Sequence, residues 1–437
     1  MNTFYKKPGP SDRPLKVLIL SMEYTSEVSG GLGTHVFELA KGLAQAGCQV
    51  CVVACTLGTS RKLQESNLTV HLLAPSASSF ANAARQSLAG SILAFTADLV
   101  NKGREVIGND GWVPDIIQCY SWLTFTAARQ LGRMYGIPVL SVVHYLSEPV
   151  ERWWGQTPDQ EIARQEELLF CNAMTFITVS KSMRKIIQNT YGAPDNRIHV
   201  VYNGMDPQPF INPTPKFDVI RQLRQTVAKS NEKIVIFAGR LHPHKGITAL
   251  LNSASQVVAK YPNVRYLLAG EPDSREFAHE VRHLLDQHHD LRGKITLLGK
   301  VPRRQLAALY QVADLALVPS IYEPFGYAAI EAMAAGVPVI ASNVGGLAEI
   351  VSHEKTGLLV PVHESANGPH RVDVGELTVA QLNLLNNETM SKQLGLAGRR
   401  RVLDCFSLEV MTQSTITVYR NTISRFLEER RNPKRAN

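Results

Sequence analysis

Residues 17–54 indicate the fold class. They read VLILSMEYTSEVSGGLGTHVFELAKGLAQAGCQVCVVA. The first four residues are all apolar, as in a strand that is buried on both faces of a sheet. From Thr34 onward, apolar residues recur with the i, i+3, i+4, i+7 spacing that predicts a helix, and Gly47 suits its C-terminus. A second apolar run follows at 50–54, so the stretch indicates a β-α-β unit of a parallel sheet.

The same alternation of apolar runs and amphipathic stretches continues along the chain. Four prolines between 207 and 215 interrupt it, and we interpret them as an interdomain linker because proline continues neither a helix nor a sheet ladder. The pattern predicts an α/β protein with two Rossmann-like, doubly wound domains at 1–205 and 206–406. Residues 407–437 are predicted to form a C-terminal helix that can cross back to the first domain. Further strands are predicted at 115–118, 139–143, 174–179, 199–202, 234–237, 265–268, 295–298, 315–318, 337–340 and 358–360.

Length and composition agree with a globular protein of two domains. The chain has 437 residues, more than one ordinary domain of about 100–200 residues. Hydrophobic residues make up 44% and charged residues 19%, which excludes wholesale disorder. No apolar run reaches the roughly 18 residues of a membrane-spanning helix, the first ten residues lack the apolar core of a secretory signal, and six cysteines are too few for a disulfide scaffold. We therefore expect a soluble, cytoplasmic protein with reduced thiols.

The chain is basic, with a formal net charge of +8. Such an excess can serve nucleic acid, an anionic membrane or a phosphorylated ligand. A nucleic-acid surface needs a basic stripe with aromatic residues between the cations, and the dense basic run at 430–435 lies at the end of the sequence. A solvated terminus is the simpler interpretation of that run. We therefore expect no nucleic-acid partner, and membrane association is the less favoured alternative.

A charged loop follows the predicted strand at 234–237. It contains Gly239-Arg240 and Lys245-Gly246, with the two cations five residues apart. Ligands of open α/β sheets bind at the carboxyl ends of the strands, where an arginine can grip a phosphate with two hydrogen bonds and a lysine supplies a point charge. The loop therefore indicates a site for a dianionic group. An exposed basic turn is the alternative.

A second signal is the stretch 319–342, PSIYEPFGYAAIEAMAAGVPVIAS. Glu323 lies on a loop that follows a predicted strand, so it can face a ligand. A helix is predicted to begin near Gly326, and its free N–H groups around Phe325, Gly326 and Tyr327 form a second anion site. Glu331 lies about two turns into this helix, where a solvated surface glutamate is the alternative to a functional one.

Three other features point away from common cofactors and metals. The glycine-rich turn at 29–34, SGGLGT, lacks the third glycine of a dinucleotide-binding loop, so close approach of the backbone to a ligand is its better use. No Asp-x-Asp pair for a divalent metal occurs in the sequence. Cys48, Cys51 and Cys55 have no matching His/Cys pair, so we predict buried thiols and not a metal site.

Taken together, these motifs resemble the retaining glycosyltransferases of family 4, which include glycogen and sucrose synthases and many bacterial sugar transferases. The resemblance extends over nearly the whole chain and implies the GT-B fold, in which two Rossmann-like domains face a central cleft. The pair of glutamates at Glu323 and Glu331 with the Pro-Phe-Gly between them is its most specific feature. The resemblance rests on Gly30-Gly31, His144, Val179-Ser180, Asn203-Gly204, Gly239-Arg240, Lys245-Gly246, Glu323-Pro-Phe-Gly326 and Glu331.

The resemblance implies roles for individual residues. Arg240 and Lys245 would hold the diphosphate of the donor and balance the charge on the leaving group. Glu323 would accept a hydrogen bond from a hydroxyl of the donor sugar, and His144 would contact that sugar near the reacting carbon. These four are the expected catalytic residues. The expected donor-binding residues are Gly30, Gly31, Phe325, Gly326 and Tyr327 for the sugar and diphosphate, Glu331 for the ribose, and Val301 for the base.

The resemblance also implies the reaction. The enzyme would transfer a sugar from a nucleotide diphosphate sugar to a hydroxyl of a small-molecule, glycan or natural-product acceptor, with retention of the anomeric configuration. A UDP-sugar is the expected donor. No metal or other cofactor is expected. A peripheral-membrane enzyme acting on a lipid-linked acceptor and a non-catalytic sugar-nucleotide-binding protein are the alternatives. The nucleotide base, the sugar, the acceptor and the oligomeric state stay open. Tyr145 and Tyr327 depart from the family pattern around the sugar, which leaves the donor sugar undecided, and Ser29 counts against a glycogen synthase.

Overall fold

The structure is a computed structural model that describes residues 13–25, 31–76, 88–153, 157–213, 217–364 and 370–432. Its first half is built on an eight-stranded sheet in the order β3-β4-β2-β1-β5-β6-β7-β8. All neighbouring strands run parallel except the outermost pair, β3 and β4, which is antiparallel. These strands are β1 (Lys16–Ser21), β2 (Gln49–Cys55), β3 (Arg61–Glu65), β4 (Leu68–Leu73), β5 (Ile116–Tyr120), β6 (Val139–Val143), β7 (Thr175–Thr178) and β8 (Ile198–Val200).

The second half contains a separate six-stranded sheet in the order β11-β10-β9-β12-β13-β14, and all its neighbouring strands are parallel. A short antiparallel pair, β15 and β16, follows it. The two sheets confirm the predicted α/β class with parallel, doubly wound halves. These strands are β9 (Lys233–Ala238), β10 (Val264–Ala269), β11 (Ile295–Gly299), β12 (Leu315–Val318), β13 (Val339–Ser342), β14 (Leu358–Val360), β15 (Val362–His363) and β16 (Arg371–Val372).

Helices cover the faces of both sheets. None of the described helices is both long and apolar enough to cross a membrane. They are α1 (Gly31–Gln45), α2 (Leu88–Ala94), α3 (Thr96–Val106), α4 (Ser121–Tyr135), α5 (Ser147–Trp153), α6 (Gln160–Asn172), α7 (Lys181–Tyr191), α8 (Gln208–Ile211), α9 (Phe217–Val227), α10 (Ile247–Lys260), α11 (Arg275–Gln287), α12 (Arg303–Val312), α13 (Tyr327–Ala335), α14 (Leu347–Ile350), α15 (Val374–Asn386), α16 (Glu388–Cys405) and α17 (Leu408–Arg431).

The apolar runs that predicted the central strands are buried. Val17, Leu18, Ile19 and Leu20 have no exposed surface, because helices cover both faces of β1, and parallel sheets need such cover. The hairpin of β3 and β4 was not predicted from the sequence. Every residue of β3 is exposed, so the strand lacks the apolar run on which the predictions relied.

The cysteines near the first β-α-β unit are packing residues. Cys48 and Cys51 are buried, and Cys55 is half-buried. Burial raises the pKa of the Cys48 thiol to about 11 and that of Cys51 to about 12, which keeps both thiols protonated at neutral pH. Within the described ranges no group of three or more His, Cys, Asp or Glu residues could hold a metal ion.

The last helix returns to the first half of the molecule. Met411, Ile416 and Tyr419 of α17 belong to the same core cluster as Val36 and Leu39 of α1. The contact is close at Gly42, where an added Cβ would lie 2.2 Å from the Thr412 hydroxyl. The chain therefore crosses from the first sheet to the second and then back, which ties the two halves together.

A second tie between the halves is made by Glu349. This residue lies on α14 in the second half, and its carboxylate accepts hydrogen bonds from the backbone N–H groups of Lys181 and Ser182, each at 2.9 Å. It also accepts a hydrogen bond from the Tyr202 hydroxyl at 2.8 Å. Since the two N–H groups open α7, Glu349 caps a helix of the opposite half.

Replacing Glu349 with alanine is expected to lower the free energy of unfolding by about 1–3 kcal/mol, because two helix-end N–H groups and a hydroxyl lose a charged acceptor. Urea titration of the parent and the variant measures the difference. Glu280 is an exposed helical glutamate on α11 and provides the matched alanine control. Equal losses in the two variants would contradict the cap.

Candidate active site

The two charged loops of the second half meet at the carboxyl edge of its sheet. The Lys245 ammonium donates a hydrogen bond to Glu323 Oε2 at 2.6 Å, and the Ser320 hydroxyl donates to the same oxygen at 3.2 Å. The meeting depends on Gly246, which has φ +70° and lies so close to the next loop that a Cβ would sit 1.8 Å from the Pro319 carbonyl oxygen. The structure therefore joins two residues that are 78 positions apart.

Arg240 is exposed on the same loop and faces the first half. Burial raises the pKa of Glu23, while a hydrogen bond from the Gly33 N–H and the charge of Arg240 act in the opposite direction. Burial also raises the pKa of Tyr145 to about 12, and Arg240 opposes that rise as well. Glu23 and Tyr145 follow β1 and β6, so the guanidinium lies in the cleft between the halves.

The loop at 239–246 carries two histidines as well as its arginine and lysine. Burial lowers the pKa of His244 to about 3, and the neighbouring His242, Lys245 and Arg240 add to the fall. His244 is therefore neutral at physiological pH. His242 lies 3.1 Å from a carboxylate oxygen of Asp273. The two permanent charges of the loop are those of the arginine and the lysine.

The helix α13 begins beside this pair. Gly326 has φ +127°, and a Cβ there would lie 2.6 Å from Leu347 Cδ2, so the tight turn into the helix requires glycine. The first intrahelical hydrogen bond runs from the Ala329 N–H to the Gly326 carbonyl at 3.1 Å. The N–H groups of Phe325, Gly326 and Tyr327 precede it, so they lie at the positive end of the helix dipole.

Two histidines line the cleft from the first half, His35 buried and His144 half-buried. The rings of His35 and His144 lie 4.3 Å apart, and Tyr120 lies within 6 Å of both. His35 Nδ1 lies 2.8 Å from Asn203 Oδ1, and an amide oxygen only accepts, so Nδ1 carries the proton. In the described part of the chain the Nε2 atoms of both histidines are buried without a hydrogen-bond partner. Such atoms are available to a ligand's hydroxyl groups.

The burial of His35 predicts sensitivity to acid. Burial lowers the pKa of His35 from 6.5 to about 4, so below pH 6.5 the unfolded chain takes up a proton that the folded protein does not. One pKa unit is worth about 1.4 kcal/mol, so His35 alone is expected to remove about 3 kcal/mol of stability between pH 6.5 and pH 4. Urea unfolding across this range measures the loss. The loss should shrink in His35→Gln but not in His289→Gln, which alters an exposed histidine.

Glu331 is not a solvated surface glutamate, so that alternative is wrong. Its side chain is 9% exposed, and the Arg303 side chain, 15% exposed, donates to it at 3.3 Å. Arg303 also donates to Glu38 of α1, which is 4% exposed. Burial raises the pKa of Glu331, and the charge of Arg303 opposes the rise. One arginine thus joins two buried carboxylates from opposite halves.

Tyr327 and Gly31 meet across the cleft. A Cβ on Gly31 would lie 3.8 Å from Tyr327 Cδ2, so the bare backbone at the start of α1 faces the tyrosine ring. The Tyr327 hydroxyl is buried without a partner among the described residues. Burial and the charge of Glu38 raise the pKa of Tyr327, so it stays a neutral donor. Gly30 lies outside the described residues.

Comparison with known proteins identifies the family. The model of Glycosyltransferase Family 4 matches residues 29–209, and that of Glycosyl transferases group 1 matches residues 218–370. An uncharacterized glycosyltransferase of Methanocaldococcus jannaschii, MJ1607, is 31% identical over 349 residues, which cover 79% of this chain and 85% of the relative. The chain belongs to glycosyltransferase family 4. The resemblance drawn from the motifs is therefore confirmed.

Two further comparisons extend over almost the whole glycosyltransferase. The alpha-maltose-1-phosphate synthase of Mycolicibacterium smegmatis is 30% identical over 415 residues, or 93% of this chain and 99% of the relative. The solved structure of sucrose-phosphate synthase from Thermosynechococcus elongatus superposes with a TM-score of 0.77 at 25% identity, covering 94% of this chain and 100% of that one. The predicted GT-B fold is thereby confirmed.

The glycosyltransferase brings most of its predicted site residues to one cleft. His144 follows β6, Arg240 follows β9 and Glu323 follows β12, each at the carboxyl end of its strand. Val301, two residues after β11, is half-buried and packs against the core of the second half. Sequence reasoning missed Arg303, Glu38 and His35. Glu38 and His35 lie on α1, which begins at the glycine-rich turn, so that turn is the sequence signal that could have placed them beside the cleft. No local sequence pattern marks Arg303.

Proposed function

We propose that this glycosyltransferase transfers a sugar, with retention of configuration, from a nucleotide diphosphate sugar to a hydroxyl acceptor, and that the donor is a UDP-sugar. The observation that carries the proposal is the pair of Lys245 and Glu323 beside the start of α13. A cation, an acceptor carboxylate and free N–H groups meet there within a single cleft. This set suits a sugar joined to a diphosphate, because the hydroxyls need an acceptor and the phosphates need donors.

The proposed steps follow from these positions. Lys245 and Arg240 hold the diphosphate, and the N–H groups of Phe325, Gly326 and Tyr327 receive its oxygens. The bond between the anomeric carbon and the leaving phosphate oxygen breaks with its electron pair going to the phosphate, and the acceptor oxygen bonds to the same face of the carbon. The acceptor's proton passes to the leaving phosphate oxygen, so the reaction needs no separate base. We propose that His144 Nε2, which is buried without a partner among the described residues, accepts a hydrogen bond from a hydroxyl of the sugar. Burial lowers the pKa of His144 and favours the neutral ring.

We propose that the charge on the leaving group is met without a metal ion. Two fixed cations and a helix N-terminus supply electrostatic stabilisation where the charge develops, in a site that is partly shielded from water. Glu331 is proposed to hold the ribose. The hydrogen bond from Arg303 orients that carboxylate, and the charge of Arg303 favours its ionised form. Val301 is proposed to lie beside the base.

A binding screen tests the donor. The purified protein is incubated with UDP-, GDP- and ADP-sugars, and nucleoside diphosphate release and thermal shift are measured in the presence of EDTA. A bound donor raises the melting temperature because it binds the folded state alone. We expect UDP-sugars to give the largest shift. The absence of binding by every nucleotide sugar would refute the proposal, and activity that EDTA abolishes would refute its metal-free part.

Glu323→Ala tests whether this carboxylate acts in sugar transfer, an activity that a purely sugar-nucleotide-binding protein would lack. In an enzyme the substitution is expected to lower the rate of sugar transfer by about 10- to 100-fold through loss of one charged hydrogen bond. Glu364→Ala, which removes an exposed glutamate, is the control. An unchanged transfer rate in Glu323→Ala would show that the carboxylate does not touch the sugar.

A further inference from the structure

A cavity of about 410 Å³ lies away from the catalytic cleft. Its walls are the C-terminal part of α4, the residues that lead into β6 and β7, and the end of α17. The cavity therefore lies at the amino ends of β6 and β7, whereas His144 follows the carboxyl end of β6. The five residues of β6 separate the two places by roughly 16 Å. The cavity walls include Arg129, Arg133, Arg430, Ile137, Met174 and Phe426.

Three arginines of this cavity have no acidic partner. No Asp or Glu is among the described residues that line it, and across the described ranges none of the three forms a salt bridge with a carboxylate. Arg129 donates to the Asn172 amide oxygen at 2.6 Å. Arg430 donates to the Gly136 carbonyl at 3.3 Å and lies 5.6 Å from the centre of the Phe426 ring. The arginines are thus held by neutral groups, and their charges are unbalanced.

The arginines also repel one another. Burial lowers the pKa of Arg129, and the charge of Arg133 lowers it further, which places the two guanidinium groups close together. The C-terminus of α4 points its carbonyls at this end of the cavity, but a helix dipole supplies only about half a negative charge. Three positive charges against half a negative one leave a net positive cavity. Such a site stabilises a bound anion.

We propose that this cavity binds a phosphate ester whose organic part lies against Ile137, Met174 and Phe426. Guanidinium groups match phosphate oxygens with paired hydrogen bonds, and the apolar wall excludes water from one side. Met134, Tyr135 and Leu427 are 54%, 40% and 47% exposed at the ends of the same two helices. A soluble phosphorylated compound and the head group of an anionic phospholipid share this chemistry, and these exposed apolar side chains suit the second source.

The first arm of the test uses inorganic phosphate. Binding is measured by calorimetry in an Arg240→Ala/Lys245→Ala background, so that the proposed donor loop makes no contribution and the outcome is independent of the proposed function. Adding Arg133→Gln and Arg430→Gln is expected to weaken phosphate binding at least tenfold, since each arginine contributes a charged hydrogen bond. Arg282→Gln/Arg292→Gln removes the same charge from exposed positions of the second half and should leave phosphate affinity unchanged.

The second arm uses vesicles of phosphatidylcholine with and without phosphatidylglycerol. Co-sedimentation that needs phosphatidylglycerol and is lost in Arg133→Gln/Arg430→Gln identifies a lipid head group. Phosphate binding without co-sedimentation identifies a soluble phosphate ester. Equal phosphate and vesicle binding by the cavity variant and its control, or no binding in either arm, overturns the proposal. If the double variant melts at a lower temperature than the parent, both arms are repeated with Arg133→Gln alone. This single substitution alters an exposed side chain.

Discussion

Replacing Lys245 with alanine is expected to lower kcat/KM by about 30- to 5,000-fold. Removing one partner of a desolvated charge pair costs about 2–5 kcal/mol, and each 1.36 kcal/mol of transition-state stabilisation is tenfold in rate. Two effects act together, since the proposed diphosphate site loses a cation and Glu323 loses the ammonium that holds it at 2.6 Å. Arg240→Ala is expected to lower kcat/KM by a similar factor. More of that loss should appear as a raised KM, because Arg240 is exposed and contacts no carboxylate within 4 Å in the described part of the chain.

Steady-state kinetics with the donor found by the screen measures the effect. Lys260→Ala, at the exposed end of α10, is the matched control and should keep the parental kcat/KM. A double-mutant cycle with Glu323→Ala then measures the coupling of the pair, which is expected because the two side chains share a hydrogen bond. Parental kcat/KM in Lys245→Ala would show that the diphosphate binds elsewhere.

Replacing Arg303 with methionine is expected to lower the free energy of unfolding by about 3–5 kcal/mol. The change leaves Glu38 and Glu331 buried without a cation, and an uncompensated buried charge costs more than a lost pair. The methionine retains the apolar stem that packs beside Phe210, over which the guanidinium lies at 5.5 Å. The loss should therefore come from charge and not from volume.

Urea unfolding measures this loss, and two observations separate charge from packing. Adding Glu38→Gln and Glu331→Gln to Arg303→Met is expected to restore part of the stability. Burial already raises the pKa of Glu331 in the parent, and without Arg303 it rises further. A raised folded pKa favours the folded state at low pH, so the deficit of Arg303→Met should shrink as the pH falls. A deficit that is independent of pH and not rescued would contradict the charge argument.

The loops that carry the site could be predicted because each is marked locally. The strand at 315–318, the Pro-Phe-Gly loop and the helix after Gly326 are consecutive in the chain, and the structure has the strand and helix where the pattern places them. Gly246 and Gly326 mark positions where the backbone lies so close to a neighbouring segment that only a residue without Cβ fits. The hairpin of β3 and β4 was missed because an exposed polar strand such as Arg61–Glu65 leaves no apolar run to find.

The sequence by itself determined the two parallel sheets, the family and the loops on which Lys245 and Glu323 lie, since apolar periodicity and glycine positions are local properties of the chain. The tertiary structure alone decided the partners of the charges. Arg303 meets Glu331 across 28 positions and Glu38 across 265, and the unbalanced arginines Arg133 and Arg430 come together from α4 and α17. Electrostatic pairing depends on distance through space, and separation along the chain carries no information about that distance until the fold has brought the helices together.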